Sequence, residues 1–122
     1  MSVTKRILLT DDQAMQAELM SLMLIAEGHE VTIAINGLEA KNLLDKQSFD
    51  VLITDIYMPE MDGGELIGLL HEQQNNVSII VLSGARLSAI TTDLKKLGVE
   101  HFIDKPITDE KLSLLLHLIS IV

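Results

Sequence analysis

The 122-residue chain has no cysteine and no tryptophan, one tyrosine, two phenylalanines and two prolines. Without cysteine there is no disulfide framework, no thiolate nucleophile and no sulfur metal site. With aromatic residues at 2%, the core has to be aliphatic, and six methionines are available to fill its gaps. Positive charge is also scarce. Nine Lys and Arg stand against eighteen Asp and Glu, a net charge of −9. Phosphate backbones need a basic face, so direct nucleic-acid binding by this domain is not expected. A cation site is compatible with the charge. The apolar residues 7–9 behind Lys5 and Arg6 are too few for a signal-peptide core. No apolar run approaches membrane-spanning length, so the expectation is a cytoplasmic protein with no membrane partner.

What the chain does have is 48% hydrophobic residues in short, regularly interrupted blocks. Residues 1–122 read as one domain, with no linker, repeat or low-complexity segment. Short apolar strands are expected at 7–9, 31–35, 51–53, 79–82 and 102–103. Helical patterns lie between and after them, at 13–27, 37–46, from Gly63 or Gly64 to about 72, at 87–97, and from Asp109 onward. In the first helix, Met15, Leu19, Leu22, Met23 and Ala26 fall at helical spacing and mark the expected apolar stripe. Gly28 is placed to end that helix in the left-handed conformation. Asn36 and Glu39 form a capping-box pattern, and Thr108 caps the last helix. Strict alternation of five strands and five helices predicts a flavodoxin-like parallel sheet, order 2-1-3-4-5, with helices on both faces.

The ends of the strands carry the chemistry. Val51, Leu52 and Ile53 read as buried on both faces, yet Asp55 follows at once, before a loop marked by Pro59 and Gly63. A carboxylate there is costly unless something pairs with it. The first strand ends at Asp11-Asp12, the fourth at Ser83 and the fifth at Lys105. In a parallel sheet all these ends share one edge, where ligands bind. Three converging acids call for a hard divalent cation, magnesium or manganese. A lysine and a hydroxyl opposite would cradle a phosphoryl group. The arrangement suits metal-dependent phosphoryl transfer with Asp55 as nucleophile. Taken singly, Asp11-Asp12 reads equally well as a solvated pair capping the first helix. Ser83-Gly84 alone reads as a turn, Lys105-Pro106 as a surface lysine before a turn proline, and Phe102 as core. His29, His71, His101 and His117 lack metal-ligand spacing and are read as non-ligands.

In their order and spacing, five motifs resemble the receiver domain of two-component response regulators, of the chemotaxis-regulator type. They are Leu9-Thr10-Asp11-Asp12, Asn36-Gly37-Leu38-Glu39-Ala40, Thr54-Asp55-Ile56-Tyr57-Met58-Pro59 with Met61-Asp62-Gly63, Leu82-Ser83-Gly84-Ala85, and Phe102-Ile103-Asp104-Lys105-Pro106. The resemblance implies that Asp55 accepts phosphate from a phosphohistidine on a sensor kinase or phosphotransfer protein. It implies metal ligation by Asp12, Asp55 and the Tyr57 backbone carbonyl, with Asp11 acting through water. It also implies that Lys105, before a cis proline, contacts the phosphoryl group. Ser83 and Phe102 would form a switch that alters the fourth helix, fifth strand and fifth helix, read by a downstream protein or linked effector. Such a domain promotes its own phosphorylation and dephosphorylation and is not a turnover enzyme. Tyr57 and Ala85 stand where the family tunes phosphoryl lifetime.

Three rivals share parts of the pattern. A flavodoxin would need a phosphate-holding first loop, which Asp11-Asp12 would repel. A haloacid-dehalogenase-like phosphatase would need a second acid where Tyr57 stands. A phosphorylation-independent docking module would leave the acids and Lys105 unused. The last helix adds one more expectation. Beside the stripe Leu112, Leu115, Leu116 and Ile119, a second one (Leu114, Leu118, Ile121) is read as meeting a dimer partner or a neighbouring domain. A broad core contact is the equal alternative.

Overall fold

The computed structural model describes residues 4–58, 60–84 and 87–122, without the side chains of 87–90. Pro59 and Ala85, which belong to two of the motifs, lie outside the described residues. The elements alternate without exception: β1 (Arg6–Thr10), α1 (Ala14–Ala26), β2 (Glu30–Ala34), α2 (Gly37–Lys46), β3 (Val51–Asp55), α3 (Gly63–Glu72), β4 (Ser78–Ser83), α4 (Leu87–Lys96), β5 (His101–Asp104) and α5 (Asp109–Ile121). All pairings are parallel, and the strand order is β2-β1-β3-β4-β5. This is the expected order. The chain reverses direction across the sheet between β2 and β3, which leaves β1 beside β3, and with right-handed crossovers this reversal places helices on both faces.

β3 lies at the centre and is buried on both faces, which is why Val51, Leu52, Ile53 and Thr54 are all inaccessible. Ile7, Leu9 and Ile53 point to one face, where Ala17 and Leu24 of α1 and Leu115 and Ile119 of α5 cover them. Leu8 and Leu52 point to the other, under Ala40 and Leu44 of α2 and Leu66 and Leu70 of α3. A third cluster joins Ile67, Val81, Leu94 and Val99 below α3 and α4. Helix ends follow local chemistry. Asn36 accepts from the Glu39 N–H at 2.8 Å, Asp62 from Glu65 at 2.8 Å and Thr108 from Lys111 at 3.3 Å. Gly28 at φ +93° and Gly98 at φ +95° end α1 and α4 in the left-handed region.

Two expectations are corrected. The stripe Met15, Leu19, Leu22, Met23 and Ala26 does not face the sheet; all five are exposed, Met15 by 79%. The inward positions are Ala17, Ser21 and Leu24, at i, i+4 and i+7. Ala17 and Ser21 are small and Leu24 fills the core beside them, while Met15, Leu19, Leu22 and Met23 are left outside. The second correction concerns β2, which stops at Ala34, so that Ile35 lies beyond it and is exposed. In α5, Leu115 and Ile119 are buried, Leu118 is half-buried against the first cluster, and Leu114 and Ile121 are exposed.

The orientation of α1 has a direct test in urea denaturation. Leu24→Ala should cost about 3 kcal/mol, as for a core leucine. Leu22→Ala, on the outer face, should stay within about 0.5 kcal/mol of the parent.

Candidate functional site

β1, β3, β4 and β5 all end on one edge of the sheet. Their register sets Thr10 beside Thr54, Asp55 beside Leu82 and Ser83 beside Asp104. Asp11 and Asp12 leave β1, Asp55 closes β3, and Lys105 leaves β5. One carboxylate oxygen from each of Asp11, Asp12 and Asp55 lies within 4.8 Å of the others. Asp11 is buried, Asp55 half-buried and Asp12 exposed. All-oxygen donors of this kind suit a hard divalent cation that keeps several waters.

Lys105 ties the cluster together. Its Nζ lies 2.8 Å from Asp55 Oδ2 and 3.3 Å from Asp11 Oδ2. Burial pulls the Lys105 pKa down, but the Asp55 hydrogen bond and charge, then those of Asp11, prevail and raise it above 10.5. The lysine is therefore held charged. Its main-chain N–H donates to the Ser83 carbonyl at 2.9 Å, and the Lys105–Pro106 peptide is cis. Asp11 is not a helix cap; its Oδ1 accepts from the Gln13 N–H at 2.9 Å, and its other oxygen faces the lysine.

Asp55 is held on several sides. Oδ1 accepts from the Ile56 N–H at 2.7 Å, and the Thr54 hydroxyl donates to the Asp55 carbonyl at 2.8 Å. Gly63 donates its N–H to the Ile56 carbonyl at 2.7 Å and closes the loop that follows. A Cβ on Gly63 would overlap the Asp55 carbonyl oxygen, so α3 starts against the acid only because that residue is glycine. Ser83 is buried at the end of β4. Phe102 is half-buried against the third cluster, and Tyr57 is exposed by 56%. Gly84 lies beside Lys105, where an added Cβ would sit at an ordinary 3.6 Å from the lysine Cβ.

The family model of the response regulator receiver domain matches residues 7–117. This chain belongs to that family. Receiver domains are phosphorylation switches in two-component signalling rather than enzymes acting on a separate substrate, and the acid cluster is suited to a divalent cation. Among solved structures, the Francisella response regulator 1452 receiver domain superposes with a TM-score of 0.86 at 26% identity, covering 96% of this chain and 97% of that one. TrrA from Thermotoga maritima, solved in complex with Mg2+-BeF, gives a TM-score of 0.81 at 29% identity, covering 95% and 99%. Among curated proteins, the transcriptional regulatory protein GlrR of Escherichia coli (strain K12) is 30% identical over 106 residues, 87% of this chain and 24% of GlrR. FixJ of Bradyrhizobium diazoefficiens is 27% identical over 113 residues, 93% of this chain and 55% of FixJ. The chain therefore spans a quarter to about half the length of these curated relatives.

The structure brings Asp11, Asp12, Asp55 and Lys105 together. Reading the sequence missed the backbone bonds around them, above all those of Ile56 and Gly63. The glycine was visible, but the close approach that requires it was not.

The raised Lys105 pKa fixes the sign of a pH dependence. A group whose folded pKa lies above its unfolded value stabilises the fold fully below the unfolded pKa, and the contribution fades as pH rises through the folded one. Without divalent cations, the parent should be more stable than Lys105→Met by a constant margin from about pH 7 to 9. The margin should narrow as pH climbs past 10.5. Urea melts across that range measure it.

Proposed function

We propose that residues 1–122 form a single signalling receiver in which Asp55 accepts a phosphoryl group from a phosphohistidine of a sensor histidine kinase or histidine phosphotransfer protein. The observation that carries this reading is the pairing of Asp55 with Lys105 at 2.8 Å inside a cluster of three acids. Family membership and the Mg2+-BeF complex of TrrA support it. Asp11, Asp12, Asp55 and the Tyr57 backbone carbonyl would hold magnesium or manganese, which when bound offsets negative charge on the transferring oxygens.

The chain's own groups do the rest. The Asp55 carboxylate attacks phosphorus, and the P–N bond breaks with its electron pair passing to the imidazole. The step needs little from the protein beyond positioning and charge. Ile56 N–H fixes one carboxylate oxygen, which sets the direction of the other. Lys105 Nζ lies close enough to pass from Asp55 to the incoming phosphoryl oxygens. Ser83, at the adjoining strand end, would gain a charge-assisted hydrogen bond only in the phosphorylated state. That difference between states biases the switch. Phe102 would follow it and change the surface of α4, β5 and α5, where a downstream protein or linked effector reads the state.

The donor's approach is suggested by α1. Its outer face exposes Met15, Leu19, Leu22, Met23 and Ile25. A groove of about 490 Å³ runs from Leu19, Met20 and Met23 past Ile107 to Asp11 and Lys105. Exposed apolar patches of this kind mark docking surfaces. Asp12, Glu18, Glu27, Asp109 and Glu110 are exposed on α1, α5 and the turns that flank α1. The matching donor surface is an apolar patch flanked by Lys and Arg.

Incubation with acetyl phosphate and magnesium should add one phosphoryl mass to the parent and none to Asp55→Asn, read by intact mass spectrometry. An adduct persisting in the variant would refute Asp55 as acceptor. Leu19→Glu should slow phosphorylation by a histidine-phosphorylated donor protein about tenfold or more, in the range of a lost apolar interface contact. It should leave the acetyl phosphate rate unchanged.

A further inference from the structure

We propose that the junction between β2 and α2, residues 34–37, is a brace that fixes the separation of the two loops forming the cation site, with Gly37 as its positioning residue. The inference rests on the cation-site reading above. β2 supplies no acid, hydroxyl or lysine to the site. Its end nevertheless makes one backbone bond to each loop. The Asp11 N–H donates to the Ala34 carbonyl at 3.1 Å, and the Gly37 N–H donates to the Met61 carbonyl at 2.9 Å. Only Ile35 and Asn36 separate the two anchor points, so the span is short and its length is nearly fixed.

Both anchors are out of water: Ala34 is fully buried and Gly37 is buried. Hydrogen bonds in such surroundings are strong, and breaking one leaves a dry polar group unpaired. Gly37 is the first residue of α2, and its N–H is one of those a helix cannot satisfy internally. Here the β3–α3 loop satisfies it. A Cβ at residue 37 would overlap the Met61 carbonyl oxygen and come within 2.8 Å of the Met61 carbonyl carbon. Gly37 does not have a positive φ, so crowding against Met61, and not backbone conformation, demands glycine. The loop is thus pinned at its base by Gly63 on Ile56 and at its flank by Gly37 on Met61, with Tyr57 carried between. Magnesium tolerates little departure from octahedral geometry, so a shift of this loop against Asp11 and Asp12 has to appear as lost affinity.

Calorimetric titration of the unphosphorylated full chain with magnesium chloride tests this. Gly37→Ala should weaken binding about 10- to 100-fold, the range for groups that orient metal ligands from behind. Gly68→Ala, at a position with nothing within 4 Å of the added carbon, should bind like the parent. A folded Gly37→Ala with parental affinity would overturn the brace. If Asp12→Asn and Asp55→Asn also bound like the parent, the cation site itself would be wrong. A second measurement does not depend on how the variant folds. In the parent, magnesium should slow exchange of the Gly37 amide hydrogen and leave that of Leu97, at the far end of the sheet, unchanged. Equal Gly37 exchange with and without magnesium would also overturn the proposal.

Discussion

Three carboxylates at one end of a sheet repel one another, and the fold holds them there. The interaction that makes this tolerable is the Lys105 ammonium, 2.8 Å from Asp55 and 3.3 Å from Asp11. One charge just past the edge strand β5 lies against two acids, one just past β1 and one closing β3. The pairing is only partly screened by water, so it is worth more than a surface ion pair.

The supporting structure is largely backbone. Side-chain acids supply charge, but their directions come from main-chain donors at Ile56 and Gln13, and the loops that carry them are closed by glycine contacts. Gly63 and Gly37 differ from Gly28 and Gly98 in physical role. The latter two are needed for a left-handed turn. The former two are needed because another part of the chain comes too near for a Cβ. That distinction separates glycines that end helices from glycines that shape the site.

α1 shows how an apolar stripe can mislead. Met15, Leu19, Leu22 and Met23 have the spacing of a buried face, and so do Ala17, Ser21 and Leu24. Hydropathy favours the first set. Packing chooses the second: Ala17 and Leu24 join Ile7 and Leu9 in one buried cluster, and the methionine and leucine stripe lies outside it. The large side chains are then free to face another molecule.

The strands, their order and the polar groups at their ends were legible in the sequence. Buried parallel strands show as uninterrupted apolar runs, right-handed crossovers restrict the topology, and helix caps are local. The convergence of Asp11, Asp12, Asp55 and Lys105 followed from that topology alone. Tertiary structure decided which face of α1 turns inward, how Lys105 divides itself between two acids, and that residues 34–37 bond to both loops. Each of these depends on what lies across space from a residue, and a pattern confined to its own element carries no record of that.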